Sequence, residues 1–94
     1  MKIRGIIWLD EIIEKLAYKH KVCQNEVREM LDNRPYFRFV EEGHQLGEDV
    51  YAAMSQTNSG RYLIVFFVCK KDKRALVLSA RDMTQAERKR YEQR

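Results

Sequence analysis

The sequence contains few of the residues that build disulfide scaffolds, metal sites or sharp chain reversals. In 94 residues there are two cysteines, two histidines, four glycines and one proline. Cys23 and Cys69 lack zinc-site spacing and form no Cys-x-x-Cys pair, so we expect reduced thiols, with a single disulfide as the alternative. His20 and His44 have no partners at ligand spacing, which argues against a metal site.

Motifs of the common cofactor-dependent enzymes are missing as well. There is no glycine-rich phosphate loop and no Gly-x-Ser-x-Gly, so a dehydrogenase, an NTPase or a zinc hydrolase is not expected, and no cofactor is predicted. No apolar run is long enough to cross a bilayer. Asp10 and Glu11 interrupt the short apolar stretch within residues 1–13, unlike a secretory signal. We therefore expect a cytoplasmic protein without a membrane partner.

What the sequence does contain is charge, and the charge is unevenly distributed. Charged residues make up 34% of the chain, and the net charge is +4. Residues 1–60 carry eight Lys or Arg against ten Asp or Glu, whereas residues 61–94 carry ten against four. A basic half is typical of a domain with a polyanionic partner such as RNA or DNA, and a well-solvated surface is the alternative.

Hydrophobic spacing predicts a single α+β domain spanning residues 1–94. The predicted elements are, in chain order, a short strand within Ile3–Leu9, a helix capped by Asp10 and running to about Lys19, a second helix with its apolar stripe at Val27, Met30 and Leu31, strands at Tyr36–Val40, Val50–Thr57, Tyr62–Cys69 and Ala75–Ala80, and a C-terminal helix from Thr84. The Tyr62–Cys69 strand is apolar on both faces, which predicts a central position in the sheet. Thr84 and Glu87 have the spacing of a capping box.

The side chains left to carry chemistry are cations, histidines and tyrosines, a set that suits RNA cleavage without a metal ion. RNA supplies its own nucleophile, the 2′-hydroxyl. The protein then has to align that oxygen with the leaving oxygen and stabilise the extra negative charge at phosphorus, which Arg or Lys does. A His, Glu, Lys or Tyr side chain assists proton transfer. These residue types are common, so composition alone is weakly specific.

The candidate catalytic residues are Lys19, His20, Arg61 and Arg81. His20 follows the apolar stripe of the first helix, where a proton-transfer role competes with that of a partly buried histidine bonded to backbone. Arg81 ends the last strand, a rigid mount for a phosphate clamp, with an ion pair to a neighbouring acid as the alternative. Arg61 lies at the start of the central strand. It is predicted to be a second phosphate contact, with a solvated turn residue as the alternative. We expect Arg61 and Arg81 to line one electropositive pocket.

Four further residues are candidates for RNA binding. Lys70 and Lys71 lie at a predicted hairpin tip, which is either a contact to backbone phosphates or a charged turn. Arg88 belongs to a charge run on the C-terminal helix, a pattern that is also typical of a solvated face. Tyr91 either stacks on a base or packs the helix against the sheet. Trp8 is predicted to be a core residue rather than a platform for a base.

Several short segments occur in an order that matches a known family. They are Lys19-His20, Gly47-Glu48-Asp49-Val50-Tyr51, Thr57-Asn58-Ser59-Gly60-Arg61-Tyr62-Leu63, Ser79-Ala80-Arg81-Asp82-Met83-Thr84 and Glu87-Arg88-Lys89-Arg90-Tyr91. Any one segment is weak evidence, but their order and spacing cover nearly the whole domain. On these segments the chain resembles the BrnT family of toxins. One position departs from the family pattern, which usually places Gly where Lys21 stands in this chain.

The resemblance implies a RelE-like fold, an α+β domain with an antiparallel sheet of about four strands, two N-terminal helices and one C-terminal helix. It also implies an endoribonuclease toxin that inhibits translation. Such a toxin is neutralised by a cognate antitoxin with a ribbon-helix-helix DNA-binding part, and the complex represses its own operon. The family's site positions carry over to Lys19, His20, Arg61, Arg81 and the Glu87–Tyr91 segment. The main alternative is a non-catalytic module that binds RNA or a protein through the same basic face.

Overall fold

The computed structural model of the chain describes residues 1–94 as an α+β domain. The strands are β1 (Gly5–Ile7), β2 (Tyr36–Gln45), β3 (Glu48–Gln56), β4 (Tyr62–Cys69) and β5 (Arg74–Asp82). The helices are α1 (Asp10–Lys15), which continues as a π-helical turn over Leu16–His20, α2 (Gln24–Asp32) and α3 (Gln85–Glu92). No helix among them combines the length and the apolar character that a membrane crossing requires.

The five strands form one mixed sheet in the order β1-β5-β4-β3-β2. The four consecutive strands from β2 to β5 are joined by hairpins, and each pairs antiparallel with the next. β1 pairs in parallel with Arg74–Leu76 of β5. The α+β prediction is confirmed, but the sheet has five strands rather than about four and is mixed rather than antiparallel. A parallel neighbour needs a long connection, and the whole segment between β1 and β5 supplies it. β4 lies at the centre, as its apolar faces predict.

The helices α1 and α2 pack on one face of the sheet, the α1/α2 face, and enclose the main core. Alternate residues of β4 point toward it, since successive strand residues face opposite ways. The buried residues of this core are Leu16, Val22, Val27, Met30, Ala53, Leu63, Val65, Phe67, Cys69, Ala75, Val77 and Ala80. Trp8 is half-buried and packs against this core, as predicted, and its remaining surface lines a cleft.

The helix α3 covers part of the opposite face, the α3 face. The smaller core there consists of Ala52, Met54, Ile64 and Tyr91, with Tyr36, Tyr62, Phe66 and Met83 packed around them. The Thr84 hydroxyl accepts a hydrogen bond from the backbone N–H of Glu87 at 3.2 Å, and the Glu87 carboxylate accepts one from the N–H of Thr84 at 2.9 Å. The predicted capping box is therefore confirmed, and it fixes where α3 leaves the sheet.

The β2–β3 hairpin extends into a segment that the sequence predicts as a loop. β2 continues past Val40 to Gln45, and Gly43 makes this possible. A Cβ at Gly43 would lie 1.8 Å from the carbonyl oxygen of Glu48, so only glycine lets the two strands come this close. The sequence does not predict the extension because polar residues on both faces of an edge strand give no period-two pattern.

The first helix differs from the prediction at its start and agrees with it near its end. Leu9 occupies the cap position, and Asp10 is the first helical residue, where its charge suits the positive end of the helix dipole. The π-helical turn ends at His20, and Lys21 follows with a φ of 54° and a ψ of 38°. This left-handed conformation favours glycine. Lys21 thus adopts the backbone geometry that a glycine would, and the helix ends there without one.

Replacing Lys21 with glycine is expected to leave the free energy of unfolding unchanged or raise it by up to about 1 kcal/mol, because relief of left-handed strain exceeds the entropy cost of glycine. Urea unfolding measures this difference. The matched control is Lys21→Ala, which removes the same side chain and keeps the strain. A Lys21→Gly protein less stable than Lys21→Ala would contradict the expectation.

Candidate functional site

Arg61 lies at the centre of the most extensive polar network in the protein. Its Nε donates to Oδ1 of Asp82 at 2.7 Å, and one terminal nitrogen donates to Oδ2 of the same carboxylate at 3.3 Å and to the carbonyl oxygen of His20 at 2.9 Å. The other terminal nitrogen donates to the carbonyl oxygen of Lys21 at 2.7 Å and to the carboxylate of Glu26 at 3.1 Å. A guanidinium has five N–H donors. All five are used by these partners.

The carboxylates around Arg61 are held ionised. The hydrogen bond from Arg61 lowers the pKa of Asp82 below its ordinary value, and the charges of Arg61 and His20 act in the same direction against a smaller effect of burial. Partial burial opposes ionisation of Glu26. Hydrogen bonds from the backbone N–H of Cys23 and from Arg61 outweigh it, so the pKa of Glu26 is lowered as well. Arg61 is therefore compensated by two negative charges.

The network joins segments that are remote in sequence. Arg61 precedes β4, the carbonyls of His20 and Lys21 end the first helix, and Glu26 lies in the first turn of α2. Asp82 ends β5. Every N–H donor of Arg61 is occupied by these groups, so none is left for a phosphate in this arrangement. The alternative of a solvated turn residue is also wrong, because the side chain is only 24% exposed. Its geometry is that of a structural residue.

Arg81 makes a different set of contacts. Its two terminal nitrogens donate to the two carboxylate oxygens of Glu87 at 2.8 and 3.0 Å, and one of them also donates to the carbonyl oxygen of Asp82 at 3.1 Å. Its guanidinium carbon lies 5.6 Å from the centre of the Phe66 ring. The hydrogen bond from Arg81 holds the pKa of Glu87 at about 2. The expected ion pair to a neighbouring acid is confirmed, yet Nε and one terminal N–H of Arg81 remain free.

The expected common pocket of Arg61 and Arg81 is wrong, because the two side chains lie on opposite faces of the sheet. In β4 and β5, Arg81 is in register with Ile64, and Asp82 is in register with Leu63. Ile64 belongs to the α3 face and Leu63 to the α1/α2 face. A one-residue step along a strand reverses the face. Arg61 bonds to Asp82 and so lies on the α1/α2 face with Leu63, whereas Arg81 lies on the α3 face with Ile64.

His20 and Lys19 lie on the side of Arg61. His20 is half-buried, its carbonyl oxygen accepts from Arg61, and its charge contributes to the lowered pKa of Asp82. Lys19 is exposed. The structure thus brings His20 and Arg61 together and adds Asp82, which is not among the residues predicted from the sequence. Asp82 directly follows Arg81 in the matched segment, and that position was the available signal.

Glu26 is absent from the predicted site for a different reason. It lies three residues after Cys23, and its carboxylate accepts from the Cys23 backbone N–H at 3.1 Å, which completes a capping box at the start of α2. That spacing is visible in the sequence. The partnership with Arg61 is not, because no local pattern links residues so far apart along the chain.

The four predicted RNA-binding residues have different surroundings. Lys70 donates to the Glu48 carboxylate at 2.8 Å, whereas the Lys71 side chain is exposed and has no acidic partner. Arg88 lies over the Tyr62 ring at 3.8 Å and pairs with Glu92 at 3.6 Å. Tyr91 is only 5% exposed and belongs to the core of the α3 face. Tyr91 therefore packs α3 on the sheet, and base stacking at this residue is wrong.

The α3 face carries an excess of unpaired cations. Both carboxylates of α3 are neutralised, Glu87 by Arg81 and Glu92 by Arg88. The cations of this face without an acidic partner are Arg38, Lys89, Arg90 and Arg94. A groove of roughly 430 Å³ runs between α3 and the start of β2, and Tyr36, Lys89, Arg90 and Arg94 line it without any carboxylate. No three His, Cys, Asp or Glu side chains lie close enough together to hold a metal ion.

Arg61→Ala is expected to lower the free energy of unfolding by about 2 to 4 kcal/mol, since it leaves Glu26 and two helix-terminal carbonyls without their partner. Chemical denaturation is the measurement. Arg74→Ala is the matched control: it breaks an exposed ion pair with Asp72 and should cost less than about 1 kcal/mol. Equal stability of the two variants would show that Arg61 is not structural.

The Arg81–Glu87 pair makes stability depend on acid pH. The pKa of Glu87 is lowered when folded, so the stabilisation is present above the unfolded value and is lost as pH falls from about 5 to about 2. At neutral pH, Glu87→Gln should cost about 1 to 2 kcal/mol, since the pair is partly solvated. The difference between the wild type and Glu87→Gln should vanish toward pH 2. Glu14→Gln, which removes an exposed carboxylate without an ion pair, should give no such pH-dependent difference.

Comparison with known proteins gives this chain no family. No family model matches it, and no curated protein is significantly similar to it. Its function is therefore inferred from the residues described above together with the resemblance of its sequence segments.

Proposed function

We propose that the chain is an endoribonuclease toxin of a type II toxin–antitoxin system, a cytoplasmic protein with a RelE-like arrangement of its α+β fold. The observation that carries the proposal is the groove of the α3 face, where Lys89, Arg90 and Arg94 meet without an acidic partner. The order of the BrnT-like segments supports it independently. In this proposal the groove holds the RNA backbone and a neighbouring site cleaves it.

The charge of the groove matches a phosphate backbone. Lys and Arg side chains that neutralise phosphates release condensed counterions, which makes binding strong at low salt and weak at high salt. Tyr36 lines the same groove, and Arg38 lies two residues further along β2 on the same face. Aromatic side chains beside cations suit a single strand, whose bases are free to stack. Duplex DNA has no exposed base faces to offer, so we take single-stranded RNA as the partner.

The scissile phosphate is placed at the end of β5. β1 pairs only with Arg74–Leu76, so residues 79–82 form an open edge of the sheet. Arg81 flanks this edge on the α3 face with two free donors, and Glu87 fixes its orientation. We assign to Arg81 the stabilisation of the charge that develops at phosphorus. Arg61 has no part in this contact.

Proton transfer is assigned to His20, which lies on the α1/α2 face beside Arg61, across the open sheet edge from Arg81. In this scheme His20 removes the proton of the 2′-hydroxyl, and that oxygen attacks phosphorus to form a 2′,3′-cyclic phosphate as the bond to the 5′-oxygen breaks. The leaving 5′-oxygen takes its proton from water. Lys19, exposed beside it, adds positive charge for the phosphate. No metal ion takes part.

The proposed partners are RNA and a cognate antitoxin with a ribbon-helix-helix DNA-binding part, the latter on the resemblance alone. The second candidate function is a non-catalytic module that grips RNA through the groove without cutting it. The groove supports both candidates equally, because Lys and Arg side chains bind RNA phosphates whether or not cleavage follows. The two functions differ in the product, and that difference decides between them.

Purified protein incubated with total RNA and a chelator is expected to give discrete fragments, and its expression is expected to arrest growth. His20→Ala should lower the cleavage rate by about 100-fold or more, as expected for loss of a proton-transfer group. Arg81→Lys should lower it by a similar factor while keeping the ion pair to Glu87. Lys15→Gln, an exposed substitution at the end of α1, is the matched control and should cleave normally.

Salt-sensitive RNA binding without fragments would contradict the endoribonuclease proposal and support the non-catalytic binding module. Binding to an acidic protein partner with none to RNA would exclude both. A folded His20→Ala protein that cleaves at the wild-type rate would remove His20 from the mechanism. Circular dichroism of each variant separates loss of chemistry from loss of fold.

A further inference from the structure

A cleft lies away from the α3 face. It has a volume of roughly 650 Å³ and is bounded by the N-terminal segment through Trp8, by α2 and by the start of β2. This volume falls within the range of small-molecule sites in proteins. None of the predicted catalytic or RNA-binding residues lines it.

The floor of the cleft is apolar and partly aromatic. Ile6, Trp8, Leu31 and Phe37 line it, and all four are half-buried and pack against the main core. Their packing holds the floor in place, so the cleft is formed before any ligand arrives. An indole and a phenyl ring beside aliphatic side chains provide a surface for a planar, poorly hydrated group.

The mouth of the cleft is cationic. Lys2, Arg4 and Arg28 line it, are exposed, and have no carboxylate partner. Asp32 is the one acidic residue in the lining, so three positive charges face one negative charge. Such an excess attracts an anion, and the guanidinium groups present paired donors that suit phosphate oxygens.

We propose that this cleft binds one nucleotide unit, with the base on the apolar floor beside Trp8 and the phosphate at the cations of the mouth. The ligand has to be both planar and anionic, because the floor and the mouth make separate demands. An acidic peptide satisfies the cations but brings no planar group for the floor. With RNA as the source of the nucleotide, the inference rests on the proposed function; a free nucleotide is the other source.

The full chain carries its own reporter, because Trp8 is the only tryptophan. Titration with each 5′-nucleoside monophosphate, and separately with a short uncleavable oligoribonucleotide, is expected to change Trp8 fluorescence saturably, with weaker binding at higher salt. A nucleoside without phosphate should bind at least about 5-fold more weakly than its monophosphate. A response to the oligonucleotide alone identifies RNA as the source, and an equal response to mononucleotides identifies the free nucleotide.

Arg28→Gln is expected to weaken the fluorescence-detected binding by about 5- to 10-fold, as loss of one charge-assisted contact predicts. Lys15→Gln, which removes an exposed cation that lines neither the cleft nor the α3 groove, is the matched control and should leave it unchanged. No fluorescence response to nucleotide or oligonucleotide, or a response to an oligoglutamate peptide alone, would overturn the inference. So would an Arg28→Gln protein that binds as tightly as the wild type.

The two proposals fail separately. If RNA cleavage depends on His20 but nucleotides give no fluorescence response at Trp8, the proposed function stands and the proposal that the cleft binds a nucleotide is rejected. Nucleotide binding at Trp8 without any RNA cleavage would keep the cleft and remove the endoribonuclease.

Discussion

The interaction on which the architecture depends is the group of hydrogen bonds made by Arg61. Neither helix on the α1/α2 face is long, and short helices are marginal on their own. Arg61 binds the carbonyl end of the first and, through Glu26, the first turn of the second. Asp82 fixes the guanidinium from the sheet. The helices are therefore positioned by one side chain from the sheet as well as by the apolar residues beneath them.

This use of Arg61 divides the cations of the protein into two groups. Arg61, Lys70 and Arg81 have carboxylate partners with low side-chain exposure and hold elements together. The cations of the α3 groove and of the cleft mouth have none. A net charge of +4 understates how positive these two surfaces are, because Asp32 is the one carboxylate side chain that lines either of them. In the groove these cations lie beside Tyr36, and in the cleft they lie beside Trp8 and Phe37.

Much of the fold was predictable because its signals are local. The two-sided apolar run of β4, the stripe of α2 and the Thr84–Glu87 capping box each act within a few residues, and each is confirmed. The parallel β1 and the extension of β2 past Gly43 were not predictable in the same way. Both depend on which strand lies next to them, and that follows from packing of the whole chain.

The candidate site was predictable in its residues but not in its arrangement. His20, Arg61 and Arg81 are all engaged in polar networks, yet the sequence gives no indication that Arg61 and Arg81 face opposite ways. The register of β5 with β4 contains an irregularity between Phe66 and Phe67. Such a bulge changes which residues share a face. Counting along the strand from Ala75 therefore gives the wrong side for the residues beyond it.

The parallel pairing of β1 with β5 has a consequence for how the protein is made. Gly5–Ile7 are synthesised well before their partners Arg74–Leu76. Contacts that close long loops form slowly, whereas the hairpins from β2 to β5 are joined by short turns. During synthesis β1 therefore stays without its strand partner until β5 has been made. The N-terminal wall of the cleft beside Trp8 thus gains its strand neighbour only after β5 has been synthesised.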